Sequence, residues 1–315
     1  MKDEGAGIRD WAREIEVLQS KIQNLKSKRA ELLSRYTTSR LGGPADVLVE
    51  ATNADELKTV VVAAREVGLP ILILGGGANV LISDAGVRGL TIINKAKQIE
   101  FRADGMVWCE SGVVLPTLAR ECIARGLSGL EWAVGVPGTV GGAVVGNAGA
   151  HGRDTAADLI AVTVLTDRNK VEEWSNADLQ FAYRSSRIKR SVISGQRSVV
   201  LAAVFQLAAG DPAELEKKAA EFNEYRRRTQ PPGASLGSMF KNPSNNAAGR
   251  LIEQCGLKGT RIGGAEISTV HANFFVNQTG ATAADVKALI DLTRRTVRQK
   301  FGIELELEIE LVGEW

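Results

Sequence analysis

Apolar residues near the N-terminus follow a helical spacing. They recur in steps of four and three at Trp11, Ile15, Leu18, Ile22 and Leu25. This spacing predicts an amphipathic helix, and the pattern stops at Arg29. Because the stripe is too short for a coiled coil, we expect the helix to pack on its own protein. Self-association through this helix is the alternative.

From Asp46 onward the predicted elements are short and alternate between strand and helix. Apolar runs predict strands at 47–50, 71–74, 90–93 and 107–110. Capping and stop residues predict helices at 54–68, 115–125, 212–227 and 282–300. The helix at 54 has Asn53 as its cap with Glu56 three residues on, and the last helix has Thr282 with Asp285. This order is typical of an α+β protein.

The C-terminal segment alternates strictly between apolar and acidic residues. Ile303, Leu305, Leu307, Ile309 and Leu311 are interleaved with Glu304, Glu306, Glu308 and Glu310. A period of two predicts a strand with one buried face and one acidic face. On this pattern alone, all four glutamates face solvent.

Two segments consist almost entirely of backbone. Residues 75–79 read Gly-Gly-Gly-Ala-Asn directly after a predicted strand, and residues 135–152 contain seven glycines. Such segments let amide N–H groups converge on a diphosphate. They therefore predict that the protein binds a nucleotide, shared between the two segments.

The spacing of these glycines excludes the commonest nucleotide folds. The glycine pairs two residues apart lack the third glycine of a G-x-G-x-x-G turn, and the chain contains no Gly-Lys dipeptide for a Walker loop. A formal G-x-S-x-G match at 233–237 follows Pro231-Pro232. A nucleophile elbow needs a strand before the serine and a helix after it, so we reject a hydrolase.

Length, charge and cysteine content narrow the function classes. The 315 residues predict two or three domains, and a formal charge of +2 argues against general nucleic-acid binding. Arginine clusters at 226–228 and 294–298 are interpreted as solvated helix faces, with anion contacts as the alternative. Three widely spaced cysteines predict reduced thiols rather than disulfides or a metal site. Without a targeting signal or long apolar run, we expect a cytoplasmic protein without membrane contact.

Several segments, in one order, resemble the UDP-N-acetylenolpyruvoylglucosamine reductase family. They are Tyr-Thr-Thr at 36–38, Leu-Gly-Gly-Pro-Ala-Asp at 41–46, the glycine segments at 74–79 and 135–142, Phe-Ala-Tyr-Arg-Ser-Ser at 181–186, Thr-Gln-Pro-Pro-Gly at 229–233, Gly-Ser-Met-Phe-Lys-Asn-Pro at 237–243, Leu-Ile-Glu-Gln at 251–254 and His-Ala-Asn-Phe at 271–274. The chain resembles the shorter subgroup, which lacks an inserted tyrosine loop.

The resemblance implies a fold and a domain order. It implies an α+β protein with a two-part FAD-binding domain of the vanillyl-alcohol-oxidase (PCMH-like) class, followed by an α+β substrate domain. The boundaries we expect are 1–33 for an N-terminal helical extension, 34–98 and 99–210 for the two FAD-binding subdomains, and 211–315 for the substrate domain. We expect the helices at 212–227 and 282–300 to frame that last domain.

The resemblance also implies a reaction in cell-wall precursor synthesis. NADPH would reduce non-covalently bound FAD, which would pass hydride to UDP-N-acetylglucosamine enolpyruvate and give UDP-N-acetylmuramate. Arg184 matches the family's catalytic arginine, Ser238 its proton donor and Glu308 its catalytic glutamate. Two positions depart from the family pattern around Glu308, because Leu307 replaces a proline and Glu310 replaces an arginine. Any charge contact of that arginine is therefore missing or supplied elsewhere.

The same resemblance implies two binding sets. The FAD-binding residues expected are Gly75, Gly76, Gly77, Ala78, Asn79, Gly135, Thr139, Gly142, Gly146, Asn147 and Ala148, with Gly146 in place of a methionine. The substrate-binding candidates are Tyr183, Lys241, Asn242, Gln254 and His271; His271 could equally be a core histidine. We expect a monomer. A flavin-dependent oxidase and a non-catalytic nucleotide-sugar sensor are the alternative functions.

Overall fold

The structure is a computed structural model, and it describes residues 11–22, 25–193 and 198–315. Residues 1–10 and 23–24 of the expected N-terminal extension lie outside the described residues. The described chain forms three groups of strands and helices, each with its own buried apolar cluster. The groups follow one another along the chain, except that the last strand returns to the first group.

The first group is a four-stranded sheet covered by two helices. Its elements are β1 (Ser27–Leu32), β2 (Pro44–Ala51), β3 (Ile71–Leu74), β4 (Val80–Ile82), β5 (Val87–Asn94), α1 (Ala12–Lys21) and α2 (Ala54–Glu66). The sheet order is β1-β2-β5-β3, with β5 parallel to both of its neighbours. Helix α2 begins where the Asn53 side chain accepts the Glu56 N–H, as the sequence predicts.

The second group is a five-stranded antiparallel sheet, in the order β12-β11-β13-β7-β6, with helices packed on it. The strands of this group, which include two short pairs beside the five-stranded sheet, are β6 (Ile99–Phe101), β7 (Met106–Glu110), β8 (Leu127–Ser128), β9 (Gly149–Ala150), β10 (Arg153–Asp154), β11 (Leu159–Leu165), β12 (Val171–Ser175), β13 (Val199–Gln206) and β14 (Ala208–Ala209). Its helices are α3 (Leu115–Ala124), α4 (Val140–Gly146), α5 (Asn176–Leu179), α6 (Arg187–Ile193) and α7 (Pro212–Thr229).

The third group is a four-stranded antiparallel sheet packed against two helices. Its elements are β15 (Ala234–Ser238), α8 (Ala248–Gln254), β16 (Arg261–Ile262), β17 (Ala265–Ile267), β18 (Phe274–Asn277) and α9 (Ala283–Phe301). Strand β19 (Glu310–Val312) follows, and it pairs in parallel with β4 of the first group. Helix α9 begins with the predicted capping box between Thr282 and Asp285.

One buried carboxylate joins the first two groups. Glu110, at the end of β7, is 4% exposed. Its oxygens accept the N–H of Ala54, at the start of α2, and the N–H of Gln98. Because a buried carboxylate is stable only when its oxygens are hydrogen-bonded, this contact fixes the start of α2 on the second sheet.

Three sequence-based expectations are wrong. The N-terminal helix ends at Lys21, because residues 27–32 instead pair with β2 as strand β1. The strand predicted at 303–311 is irregular up to Ile309, and regular pairing covers only β19. Helix α7 packs through Leu215 and Ala219 on the second group and does not frame the third. The domain boundaries drawn from the resemblance stay a prediction.

The packing of the N-terminal helix and the state of the cysteines agree with the sequence-based expectations. Helix α1 buries Ile15 and Leu18 against the apolar residues of β2 and α2, as expected of a helix packed on its own protein. All three cysteines are free; Cys109 and Cys122 are buried and Cys255 is partly exposed. Burial raises the pKa of Cys122 to about 12. Within the described ranges, no helix is long and apolar enough to span a membrane.

Asp84 provides a test of how the third group is attached. Its two carboxylate oxygens accept the N–H groups of Ala283 and Ala284 at the start of α9, both at 2.9 Å. Replacing Asp84 with alanine should lower the free energy of unfolding by about 1–3 kcal/mol, because two N–H groups lose a charged acceptor. Urea unfolding measures this loss.

The matched control is Asp55→Ala, which removes an exposed aspartate from the first turn of α2. No hydrogen bond of the Asp55 side chain is present within the described residues. This variant should lose less than about 1 kcal/mol, the value of a helix-dipole contact. Equal losses in the two variants would contradict the attachment through Asp84.

Candidate functional site

The two glycine segments predicted to share a ligand lie against each other. A methyl group on Gly76 would lie 3.0 Å from the Gly138 Cα, and one on Gly75 would clash with the Thr139 side chain. Real Cβ atoms do not tolerate such distances, so side chains at these positions would push the segments apart. The first segment follows β3 and the second leads into α4, so two sheets contribute backbone to one place.

Gly77 fixes the first segment on the residues that precede β2. Its φ of +58° lies in the left-handed region, and a methyl group there would overlap the Tyr36 carbonyl. The Thr38 N–H donates to the Gly77 carbonyl at 3.1 Å, and the Thr38 hydroxyl donates to the Ser235 carbonyl at 2.7 Å. The glycine segment is thereby tied to β15, the strand that ends at Ser238.

The second glycine segment is more ordered than a backbone loop. Residues 140–146 form helix α4, which ends where Asn147 takes a left-handed conformation with φ 43°. The buried Asn147 amide donates to Asp154 at 3.0 Å and to the Ala182 carbonyl at 3.2 Å, and its oxygen accepts the Ala156 N–H. The Asn147 side chain therefore holds protein segments together, including the turn that carries Arg184.

That turn places Arg184 in a strained conformation. Ala182 and Ser185 exchange both backbone hydrogen bonds, and Arg184 has a φ of +54°. A left-handed arginine is uncommon and costs free energy, which the closed turn compensates. The backbone of the turn therefore fixes the position of the Arg184 Cα, from which the side chain extends.

Arg184 forms an ion pair with Glu308. The Arg184 Nε lies 2.6 Å from a Glu308 carboxylate oxygen, and the two side chains are 24% and 15% exposed. The Arg184 Nε–H is not aligned with a hydrogen-bond acceptor within the described part of the chain. The contact at Nε is therefore a close ion pair without an aligned hydrogen bond.

The surroundings of Glu308 act on its protonation in opposite directions. Burial raises the pKa of Glu308 above its ordinary value, and the positive charges of Arg184, Lys189 and Lys241 act to lower it. The net direction is upward. A carboxyl group with a raised pKa holds a proton more readily than a solvated glutamate does.

The backbone of Glu308 connects the glycine segment to β15. The Asn79 side chain donates to the Glu308 carbonyl at 3.1 Å, and the Glu308 N–H donates to the Met239 carbonyl at 2.9 Å. Met239 directly follows Ser238, which is half-buried. The Ser238 hydroxyl has no hydrogen-bond partner among residues 11–22, 25–193 and 198–315. Arg184, Ser238 and Glu308, predicted from distant parts of the sequence, thus lie on connected segments.

Three of the five substrate-binding candidates lie on the segments that carry Arg184 and Ser238. They are Tyr183, Lys241 and Asn242. The Lys241 N–H donates to the Glu306 carbonyl, and its ammonium pairs with the Glu306 carboxylate at 3.1 Å. Tyr183, 55% exposed, has its hydroxyl 3.5 Å from the Asn242 N–H. The Asn242 side chain accepts the Ala248 N–H at the start of α8.

The other two candidates have separate surroundings. His271 is half-buried, its Nδ1 accepts the Asn273 N–H, and burial lowers the pKa of His271. Gln254 is an exposed residue at the end of α8, and its carbonyl accepts the Lys300 ammonium. Within the described residues, neither side chain is hydrogen-bonded or ion-paired to Arg184 or Glu308.

The structure adds Arg226, for which the sequence favoured a solvated face. A methyl group on Gly135 would lie 2.7 Å from the Arg226 Cδ, so this half-buried side chain covers the second glycine segment. Its guanidinium pairs with no carboxylate of the described chain, and burial lowers the pKa of Arg226. His151 lies nearby, stacked on Phe222, with its Nε2 buried and unpartnered among the described residues. The helical spacing of three consecutive arginines did not reveal which one turns inward.

The structure also adds Lys189, on α6. Its ammonium lies 3.3 Å from a Glu310 carboxylate oxygen. Glu310 is the position where this chain departs from the arginine of the family pattern. At this position the chain therefore has an ion pair in which Glu310 supplies the negative charge. No sequence signal distinguished Lys189 from other helical lysines.

Two family models match the chain. A model described as an FAD binding domain matches residues 45–175, and one described as UDP-N-acetylenolpyruvoylglucosamine reductase, C-terminal domain, matches residues 229–312. The first match includes both glycine segments. The second includes Ser238, Lys241 and Glu308.

Relatives match nearly the whole length. A protein from Rubrobacter xylanophilus named UDP-N-acetylenolpyruvoylglucosamine reductase is 44% identical, covering 91% of this chain and 96% of its own length. A protein of the same name from a Synechococcus strain is 47% identical, with 89% and 91% covered. The crystal structure of the reductase from Thermus caldophilus aligns with a TM-score of 0.78 at 35% identity, covering 92% of this chain and all of that one. The fold class predicted from the sequence is confirmed.

Gly77→Ala tests the contact that fixes the first glycine segment. The variant should lower the free energy of unfolding by about 2–5 kcal/mol, from left-handed strain plus overlap with the Tyr36 carbonyl. Thermal or urea unfolding measures the loss.

Gly68→Ala is the matched control, because Gly68 has a φ of +73° and no atom within 4 Å of an added methyl group. It should lose only about 1–2 kcal/mol. If the two variants were equally stable, the close approach at Gly77 would be wrong.

Proposed function

The chain belongs to the UDP-N-acetylenolpyruvoylglucosamine reductase family, and from this premise we propose how its own residues carry out the reaction. The enzyme reduces the enolpyruvyl group of UDP-N-acetylglucosamine enolpyruvate to UDP-N-acetylmuramate in peptidoglycan synthesis, with FAD as cofactor and NADPH as reductant. The observation that carries the assignment of roles is the buried ion pair between Arg184 and Glu308, joined by backbone to a glycine segment and to Ser238. We also propose that the enzyme is a cytoplasmic monomer.

The glycines of α4 fit a dinucleotide lying on this helix. Gly142 has an ordinary φ value, and a methyl group on it would lie 3.8 Å from the Thr139 hydroxyl oxygen, an ordinary contact distance. Glycine inside a helix costs about 1 kcal/mol relative to alanine, and neither protein packing nor backbone conformation explains it here. Close approach of a ligand does explain it. The FAD would lie along α4 and the segment 75–79, held through Gly75, Gly76, Gly77, Ala78, Asn79, Gly135, Thr139, Gly142, Gly146, Asn147 and Ala148.

Arg226 fits the charge of the same cofactor. A half-buried guanidinium without a carboxylate partner has lost part of its hydration and gains from a bound anion. A diphosphate beside Gly135 would supply that anion, and the buried Nε2 of His151 would gain a partner nearby. The proposed FAD site therefore includes one cation that the sequence did not single out.

Arg184 would stabilise the negative charge that develops on the substrate. FAD, when bound, takes hydride from NADPH and supplies it to the terminal carbon of the enolpyruvyl group. Negative charge then develops on the carbon that bears the carboxylate. The Arg184 guanidinium has N–H groups to brace both the carboxylate and the developing enolate, and its fixed turn needs no rearrangement.

Ser238 would deliver the proton that completes the reduction. Its hydroxyl is half-buried and has no hydrogen-bond partner in the described structure, so it is free to meet a substrate carbon. A serine is a weak acid, and nearby positive charge is needed to stabilise its alkoxide. Lys241, three residues on, provides such a charge on the same segment.

Glu308 would hold Arg184 in position and share the proton chemistry. Burial raises the pKa of Glu308, so the carboxyl can take up or return a proton during turnover. We propose that Tyr183, Lys241 and Asn242 contact the substrate next to this pair. Gln254 and His271, which have separate surroundings, would bind more distant parts of the UDP-sugar.

Arg226→Gln tests the proposed charge contact with FAD. The dissociation constant for FAD, measured by flavin fluorescence during titration of the deflavinated enzyme, should rise by about 10- to 100-fold, because one charge-assisted hydrogen bond is lost. Arg227→Gln is the matched control; Arg227 is 80% exposed and pairs with Glu224 on α7. The control should bind FAD as the wild type does. Equal affinities for both variants would remove Arg226 from the site.

Ser238→Ala should separate the two halves of the reaction. Bleaching of the visible flavin band by NADPH without oxygen should keep its rate, because hydride uptake needs no proton from Ser238. Restoration of the band by the enolpyruvyl substrate should slow by about 100-fold or more. Ser235→Ala, a serine on the same strand, is the control and should change neither rate. A normal second rate in Ser238→Ala, with normal solvent deuterium in the product, would disprove the proton-donor role.

A further inference from the structure

A second ion pair lies next to the pair of Arg184 and Glu308. Lys189 pairs with Glu310 at 3.3 Å, and Glu310 is two residues after Glu308 on the same segment. The Lys189 side chain is only 18% exposed, while its partner Glu310 is 46% exposed. A lysine kept this far from water usually has a structural or electrostatic role. Surface attraction alone contributes little free energy and does not explain the burial of its stem.

The backbone beneath Lys189 is fixed to the cofactor side of the protein. The Lys189 N–H donates to the Ser186 hydroxyl, which itself donates to the Val145 carbonyl of α4. Ser186 is fully buried. The first turn of α6 is therefore anchored on α4, the helix whose open glycines fit the dinucleotide. Movement of Lys189 relative to the site is restricted at its Cα.

The backbone beneath Glu310 is fixed as well. The Glu310 N–H donates to the Asn79 carbonyl at 2.9 Å, and the Asn79 side chain donates to the Glu308 carbonyl. The carboxylates of Glu308 and Glu310 thus lie on a segment that is hydrogen-bonded to Asn79 of the first glycine segment. The segment 184–189 faces the segment 308–310 through two ion pairs of the same polarity.

We propose that Lys189 is a positioning residue of the reductase site: the anchored first turn of α6 holds it in place, and its positive charge favours the ionised carboxylate of Glu308. The proposal rests on the catalytic role proposed above for Glu308. The positive charges that act on Glu308 are Arg184 from the turn, Lys189 from α6 and Lys241 from the segment after β15. On the Glu308 segment itself, Glu310 pairs with Lys189 and Glu306 pairs with Lys241.

The proposal predicts opposite effects for the two partners of one ion pair. Lys189→Met removes a positive charge near Glu308 and should raise the pKa of Glu308 by about half to one pH unit. Glu310→Gln removes a negative charge and leaves Lys189 in place, so it should lower the pKa of Glu308, by less because Glu310 is more exposed. A purely structural ion pair predicts that both variants lose the same contact and shift alike.

The measurement is carbon-13 NMR of the holoenzyme labelled at glutamate carboxyl carbons and titrated with acid. The Glu308 signal is the one that disappears in Glu308→Gln. Lys189→Arg keeps the charge and should keep the pKa of Glu308 near that of the wild type. Lys287→Met is the matched control, since Lys287 forms an ion pair with Asp291 on α9. It should leave Glu308 unchanged.

The pH profile of kcat supplies the second readout. The pH-dependent step in kcat that is lost in Glu308→Gln should shift to higher pH in Lys189→Met and to lower pH in Glu310→Gln. Glu308 titrations that are unchanged, or shifted in the same direction in both variants, would overturn the role of Lys189. The activity of Glu308→Gln tests the proposed function separately. Full activity of this variant would remove Glu308 from catalysis, and the NMR shifts of Glu308 in Lys189→Met and Glu310→Gln would still be as expected. If Lys189→Met fails to fold, Glu310→Gln with Lys189→Arg decides the question.

Discussion

The site depends on one long-range closure, the pairing of the C-terminal strand β19 with β4. This parallel pair joins residues 310–312 to residues 80–82. Asn79, next to β4, adds hydrogen bonds to the backbone of Glu308 and Glu310. Because the joined residues are more than 200 positions apart, the closure costs chain entropy that the cores of all three groups must offset. Through this contact the segment after α9 reaches the glycine segment at 75–79, and Glu308 comes to face Arg184.

A second consequence of this closure is electrostatic. The pair of Arg184 and Glu308 lies in a place where burial favours the neutral carboxyl and neighbouring cations favour the charged one. Small changes in those cations therefore change the protonation of Glu308. Two of these cations, Lys189 and Lys241, are each paired with a glutamate of the Glu308 segment, Glu310 and Glu306.

Elements with local signals were predictable from the sequence. Asn53 with Glu56 and Thr282 with Asp285 set the starts of α2 and α9, because a cap needs only residues three apart. The N-terminal helix was predicted too long for the opposite reason. Residues 27–32 carry a weak helical pattern, and they pair as β1 because the edge of β2 is available to them only in the folded sheet. The strand predicted at 303–311 fails similarly, since regular pairing exists only where β4 runs alongside.

The sequence by itself determined which residue types the chemistry needs. Glycine segments without side chains predicted a bound nucleotide, because the freedom of a glycine backbone is a local property. The resemblance of an ordered set of motifs to a known family implied FAD, Arg184, Ser238 and Glu308. Only the tertiary structure decided which of four equivalent glutamates is buried, which of three consecutive arginines covers Gly135, and which lysine faces Glu310. Burial and pairing of charges depend on segments that are distant in sequence, and no local pattern contains that information.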